Sequence, residues 1–164
     1  MSRDALLRRY RIVLGAFIAG LVLSGVTAFP LLHELELLAR MLGIPADAAP
    51  ASLGGLQYWI ATVRDGLHAT YASYPWLAYG TDWLAFGHLM IALFFIGPWR
   101  EPVANAWVLK IGLAACAAVV PLALICGAIR GIPFYWRLID CSFGVFGTLP
   151  LLYCLKLTRQ LRTP

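Results

Sequence analysis

The chain has 164 residues, of which 61% are apolar, and carries thirteen Lys and Arg against eight Asp and Glu. With a mean hydropathy of +0.77, this composition excludes an ordinary soluble domain and places the chain among integral membrane proteins. The net charge of +5 is concentrated at the chain ends and in short loops, so it reads as membrane topology and gives no case for a nucleic-acid partner.

Arg3, Arg8, Arg9 and Arg11 precede an uncharged run that ends at Pro30. A basic flank followed by about 18 apolar residues predicts a first transmembrane helix over residues 12–30, entering from the cytoplasm. The small residues around Ala28 also fit a cleavable signal peptide, but the run is long for one and the anchor is preferred. Residues 31–76 are predicted to form an extracytoplasmic helical segment. Within it Leu31, Leu35, Leu38 and Leu42 recur at helical spacing, with Glu34, Glu36 and Arg40 on other faces. This is the pattern of an amphipathic surface helix. A loop rich in Gly, Pro and Ala over residues 43–55 leads to a second amphipathic helix over residues 56–73. Its apolar face is Trp59, Ile60, Val63, Leu67 and Tyr71, with Gln57, Arg64, Asp65 and His68 on other faces, and His68 reads as a solvated or interfacial residue. Tyr74, Trp76 and Tyr79 then form an aromatic belt suited to a membrane interface.

A second transmembrane helix is expected over residues 77–97, stopped by Gly97-Pro98, with Asp82 near its outer end and His88 near its middle. A tight inner loop precedes a third, over residues 107–129. There Gly112, Cys116, Ala114 and Ala118 are spaced for close helix approach, and Pro121 predicts a kink that frees a backbone carbonyl. The fourth begins at Pro133 and runs to about 157. On this assignment Arg3, Arg8, Arg9, Arg11, Arg100, Lys110, Lys156, Arg159 and Arg162 are inside and Arg40, Arg64, Arg130 and Arg137 outside, so both termini are cytoplasmic. The expected fold class is all-α: one integral membrane four-helix bundle with two amphipathic surface helices between helices 1 and 2.

The fourth helix carries the residues that most need explaining. Arg137, Asp140, Cys141, Gly144 and Thr148 recur at three- and four-residue steps along one stripe, which should face inward because ionisable groups in hydrocarbon are costly. Arg137 and Asp140 can pair at i,i+3. Asp82 begins at a comparable depth, so a cluster of Asp82, Arg130, Arg137 and Asp140 with His88 beneath it is expected, opening outward. It reads either as a clasp fixing helix register or as a pocket for a lipid-like or small anionic ligand. In the pocket Arg130, Arg137 and Cys141 bind, and His88, Asp82 and Asp140 handle protons. Haem ligation through His88 is a further reading. The cofactor is otherwise open, no metal-ligand spacing occurs, and the four cysteines read as packing residues.

The motifs GTDWLAFGH at 80–88, GPWREP at 97–102 and RGIPFYWRLIDCSFG at 130–144 resemble those of an uncharacterised family of small bacterial four-helix integral membrane proteins, over roughly the C-terminal half of the chain. The resemblance implies a bacterial inner-membrane setting and no activity, substrate or cofactor. The partners expected are the lipid bilayer, a small-molecule or lipid ligand, and a membrane protein or a second copy of the chain. The leading function is ligand binding in the outer leaflet, with enzymatic use of the site left open. The alternative is a non-catalytic accessory protein whose charges only fix the bundle.

Overall fold

The computed structural model describes residues 2–162, and no strand occurs among them. Eight helices follow in chain order: α1 (Arg3–Ala28), α2 (Leu31–Met41), α3 (Gly55–Ser73), α4 (Ala78–Phe94), α5 (Ile96–Arg100), α6 (Ala106–Pro121), α7 (Gly127–Ile129) and α8 (Phe134–Arg162). A π-helical turn, Leu122–Cys126, joins α6 to α7, and Pro75–Leu77 forms a 3-10 turn ahead of α4. Four helical stretches are long and apolar enough to cross a membrane: Arg3–Ala28, Pro75–Arg100, Ala106–Ile129 and Phe134–Arg162. Each has at least 24 residues, about 36 Å at 1.5 Å per residue, against a hydrocarbon core of about 30 Å.

The second of these does not stop at Gly97-Pro98. A break at Phe95 starts a new helix, which places Pro98 in the first turn of α5. Amides there have no intrahelical acceptor, so the missing N–H of proline costs nothing. α8 likewise outruns its expected end by five residues, passing through Pro150.

The contacts divide the chain into two compact units, one made of residues up to Leu21 and from Ile91 onward, the other of Val22–Met90. In the first, Tyr10 and Leu14 of α1, Leu109 of α6, and Leu151 and Cys154 of α8 are fully buried in one core. α6 and α8 pack along much of their length, with small residues in the seam. A Cβ at Gly144 would lie 2.5 Å from the Cys116 carbonyl oxygen, and one at Gly147 would lie 2.8 Å from Cys116 Sγ. Trp99 Nε1 donates to the Arg11 carbonyl (3.0 Å) under the Arg11 guanidinium, tying α5 to α1. All four cysteines are free.

In the second unit the turn after α2 is decided by one glycine. Gly43 has φ +69°, its N–H donates to the Arg40 carbonyl, and that of Ile44 donates to the Ala39 carbonyl. This Schellman cap puts Ile44 against Ala39, both buried, and turns the chain back towards α3. Gln57 of α3 returns the tie by donating to the Leu42 carbonyl (2.9 Å). α1 and α4 meet at Gly25, where a Cβ would be 3.0 Å from the Ala85 carbonyl oxygen and 3.1 Å from His88 Cβ.

Candidate functional site

The α2–α3 hairpin holds a polar cleft of about 480 Å³, lined by Glu36, Arg40, Ile44, Arg64, Asp65 and His68 among others. On α2, Glu36 and Arg40 are four apart, beside the buried Leu35 and Ala39. The buried face of α3 is Ile60, Ala61 and Arg64, so the arginine continues an apolar stripe at helical spacing. Arg64 is only 6% exposed. Its Nε donates to Asp65 Oδ1 (2.9 Å) and its Nη1 to the Pro45 carbonyl (3.4 Å), which pins the loop after the Gly43 turn. Across the cleft His68 Nε2 lies 3.0 Å from Glu36 Oε1. Arg40 Nε donates to the Glu36 backbone carbonyl (3.4 Å). Among the described residues, Arg40 is the arginine of this cleft with no carboxylate within 4.0 Å.

Arg64, expected off the apolar face of α3, lies instead on its buried face, where a carboxylate and a carbonyl satisfy its guanidinium. His68 is exposed, as expected of a solvated or interfacial residue, and pairs across the hairpin with Glu36.

The stripe on α8 is sorted by exposure as expected. Gly144 is buried and Arg137, Asp140, Cys141 and Thr148 are half-buried, while Ile139, Phe143 and Phe146 are exposed. The Arg137–Asp140 ion pair is not made: among the described residues the ion pairs are Arg64–Asp65 and His68–Glu36. Arg137 instead donates from Nη1 to the Leu124 carbonyl (3.2 Å), inside the π-helical turn, and its guanidinium lies 5.3 Å from the Phe134 ring. Its stem crosses Gly127, where a Cβ would come within 2.7 Å of it. Cys141 Sγ is 4.0 Å from the Val120 carbonyl. The α8 donors thus meet backbone carbonyls in and just before the π-helical turn, and not the neighbouring carboxylate. Arg130 caps α7 and is exposed, ahead of a second Schellman turn at Gly131 (φ +71°).

Asp82 and His88 belong to the other unit. His88 Nδ1–H donates to the Leu84 carbonyl (2.8 Å). A carbonyl only accepts, so Nδ1 carries the proton and Nε2 offers the lone pair that haem ligation would use. Asp82 lies in a cleft of about 280 Å³ with Phe29, Tyr79, Trp83 and Phe86. Tyr79, Asp82, Trp83 and Phe86 stand at i, i+3, i+4 and i+7 on α4, one face of the helix. Trp83 meets Tyr79 and Phe86 edge-on, with centroids 5.9 and 5.7 Å apart.

Neither the Glu36–His68 pair nor the Asp82 cleft was singled out from sequence. The signal for both was present as four-residue spacing of polar or aromatic residues, but which helix would face which was not. Among the described residues no three His, Cys, Asp or Glu side chains are grouped to hold a metal ion. No family model, no curated protein and no solved structure matches this chain.

Proposed function

We propose that the chain is a multi-pass protein of the bacterial inner membrane, with both termini cytoplasmic, that binds a small anionic or lipid-like ligand in the outward-facing cleft of the α2–α3 hairpin. The membrane setting is supported by the four long apolar helices and by the large side chains they leave exposed, among them Leu23, Phe94, Ile111, Ile129 and Phe146. Soluble monomers do not carry so much apolar surface. The hairpin lies between the first two of those helices in sequence, so it emerges on the side opposite the basic N-terminus.

The observation that carries the ligand reading is the charge bookkeeping of the cleft. Arg64 is neutralised by Asp65 and His68 faces Glu36, which leaves the Arg40 guanidinium to meet a carboxylate or phosphate. Glu36 and His68 stand beside that position as a proton-handling pair, in place of the expected His88, Asp82 and Asp140. The test is binding of a short-chain phosphatidic acid to the detergent-solubilised protein. Arg40→Gln should weaken it at least fivefold with the helical signal unchanged; equal binding by both proteins would refute the assignment.

A second reading applies to α8. Arg137 and Cys141 are engaged with the carbonyls of the turn after Pro121, which favours a structural clasp there over a ligand site. On this reading Arg137→Met lowers stability and leaves ligand binding untouched.

A further inference from the structure

We propose that the cleft around Asp82 is a binding site for a quaternary ammonium group, the headgroup chemistry of choline-type amphiphiles. Asp82 makes no hydrogen bond or ion pair among the described residues, although it is half-buried and only about one turn, roughly 6 Å, inside α4. A carboxylate partly withdrawn from water without a counter-charge is costly, and a cation is what relieves it.

The walls decide which cation. Phe29, Tyr79, Trp83 and Phe86 line it with aromatic rings, and Trp83 meets Tyr79 and Phe86 edge-on. Ring faces attract a cation through their quadrupole, with Trp the strongest. Besides the carboxylate, the side chains of the cleft offer one acceptor, the Tyr79 hydroxyl, since the Trp83 indole N–H only donates. A primary ammonium would give up hydrogen bonds to water that this cleft cannot replace. A trimethylammonium group has none to give up and presents methyl groups to the rings. At about 280 Å³ the cleft falls just below the usual range for drug-sized ligands, so it fits a headgroup and not a whole lipid. The proposal stands apart from the hairpin cleft, since it shares no residue with it and calls for the opposite charge.

The experiment uses the intact protein in neutral maltoside micelles. Tetramethylammonium and methylammonium chlorides are titrated at matched ionic strength, read by tryptophan emission in wild type and in Trp83→Phe. Saturable tetramethylammonium binding is expected, with methylammonium at least tenfold weaker and the response lost in Trp83→Phe. Asp82→Asn, of nearly the same shape, should weaken binding at least tenfold. An equal response to both cations, or no saturable response, overturns the proposal on wild type alone, whether or not the variants fold. Unchanged affinity in a folded Asp82→Asn overturns it as well. Competition by a short-chain phosphocholine lipid identifies a lipid headgroup as the source. Tetramethylammonium binding without such competition identifies a free quaternary ammonium solute.

Discussion

Replacing Gly144 by alanine should separate α6 from α8. The added Cβ would lie 2.5 Å from the Cys116 carbonyl oxygen, where ordinary contact begins at 3.4 Å, so the helices must part locally by about 0.9 Å. The obstructing atom is backbone, and no rotamer change relieves it. A gap of that size forfeits a quarter to a half of each van der Waals contact it opens. It also stretches the Cys141 Sγ contact to the Val120 carbonyl, which is already at 4.0 Å. Overpacking of this kind costs about 1–3 kcal/mol, against a helix-propensity gain of up to about 1 kcal/mol for Gly→Ala. Gly20→Ala on α1 meets nothing within 4 Å, so only the gain applies and the two variants should move in opposite directions. The assay is denaturant titration of the detergent-solubilised protein followed by far-UV circular dichroism. Gly147 provides an internal control, because its obstruction is Cys116 Sγ: Cys116→Ala should rescue Gly147→Ala and leave Gly144→Ala unrelieved. A Gly144→Ala protein at or above wild-type stability would refute the reasoning.

Gly43→Ala forces a side chain into the left-handed region at φ +69° and should cost about 1–2 kcal/mol, with Asn tolerated better, both read from thermal melts. Asp65→Asn strips the charge partner from buried Arg64, and Asp65 is itself 45% exposed. The expected loss is about 1–2 kcal/mol, well above that of Glu36→Gln, whose pair with His68 is largely solvated and worth about 0.5 kcal/mol or less; equal losses would contradict the burial argument. Arg137→Met should cost about 1.5–3 kcal/mol through the Leu124 carbonyl. Adding Asp140→Asn should be additive, since the two side chains are not paired, and a compensating double mutant would restore the ion-pair view.

Where a single helix decides its own geometry, the sequence was sufficient. The buried Leu35 of α2, the hairpin loop bounded by Gly43 and Gly55, the seam residues Gly112 and Cys116, and the disruption after Pro121 all follow from local rules of spacing and backbone freedom. What escaped was the choice among competing partners. Arg137 has Asp140 one turn away, yet its donor goes to the carbonyl of Leu124, thirteen residues earlier in the π-helical turn. Nothing in the local spacing of α8 reports this. Arg64 reads as a charge on a polar face and is instead buried, since the Schellman turn carries the Pro45 carbonyl to it. His68 and Glu36 are 32 positions apart, and their meeting depends on the angle at which the hairpin closes.

That closure has a consequence for how the protein is made. The ties of the α2–α3 hairpin, from Glu36 to His68, Leu42 to Gln57 and Pro45 to Arg64, all fall within one stretch of 33 residues. The entropy of joining the ends of so short a loop is modest, and none of these contacts requires a residue synthesised after His68. The hairpin can therefore acquire its cleft while the second apolar helix is still being translated, as a local folding unit of low contact order. Pulse-labelled hydrogen exchange on arrested nascent chains would show its amides protected before α4 is complete. Protection appearing only with the full chain would mean that the later helices template the hairpin.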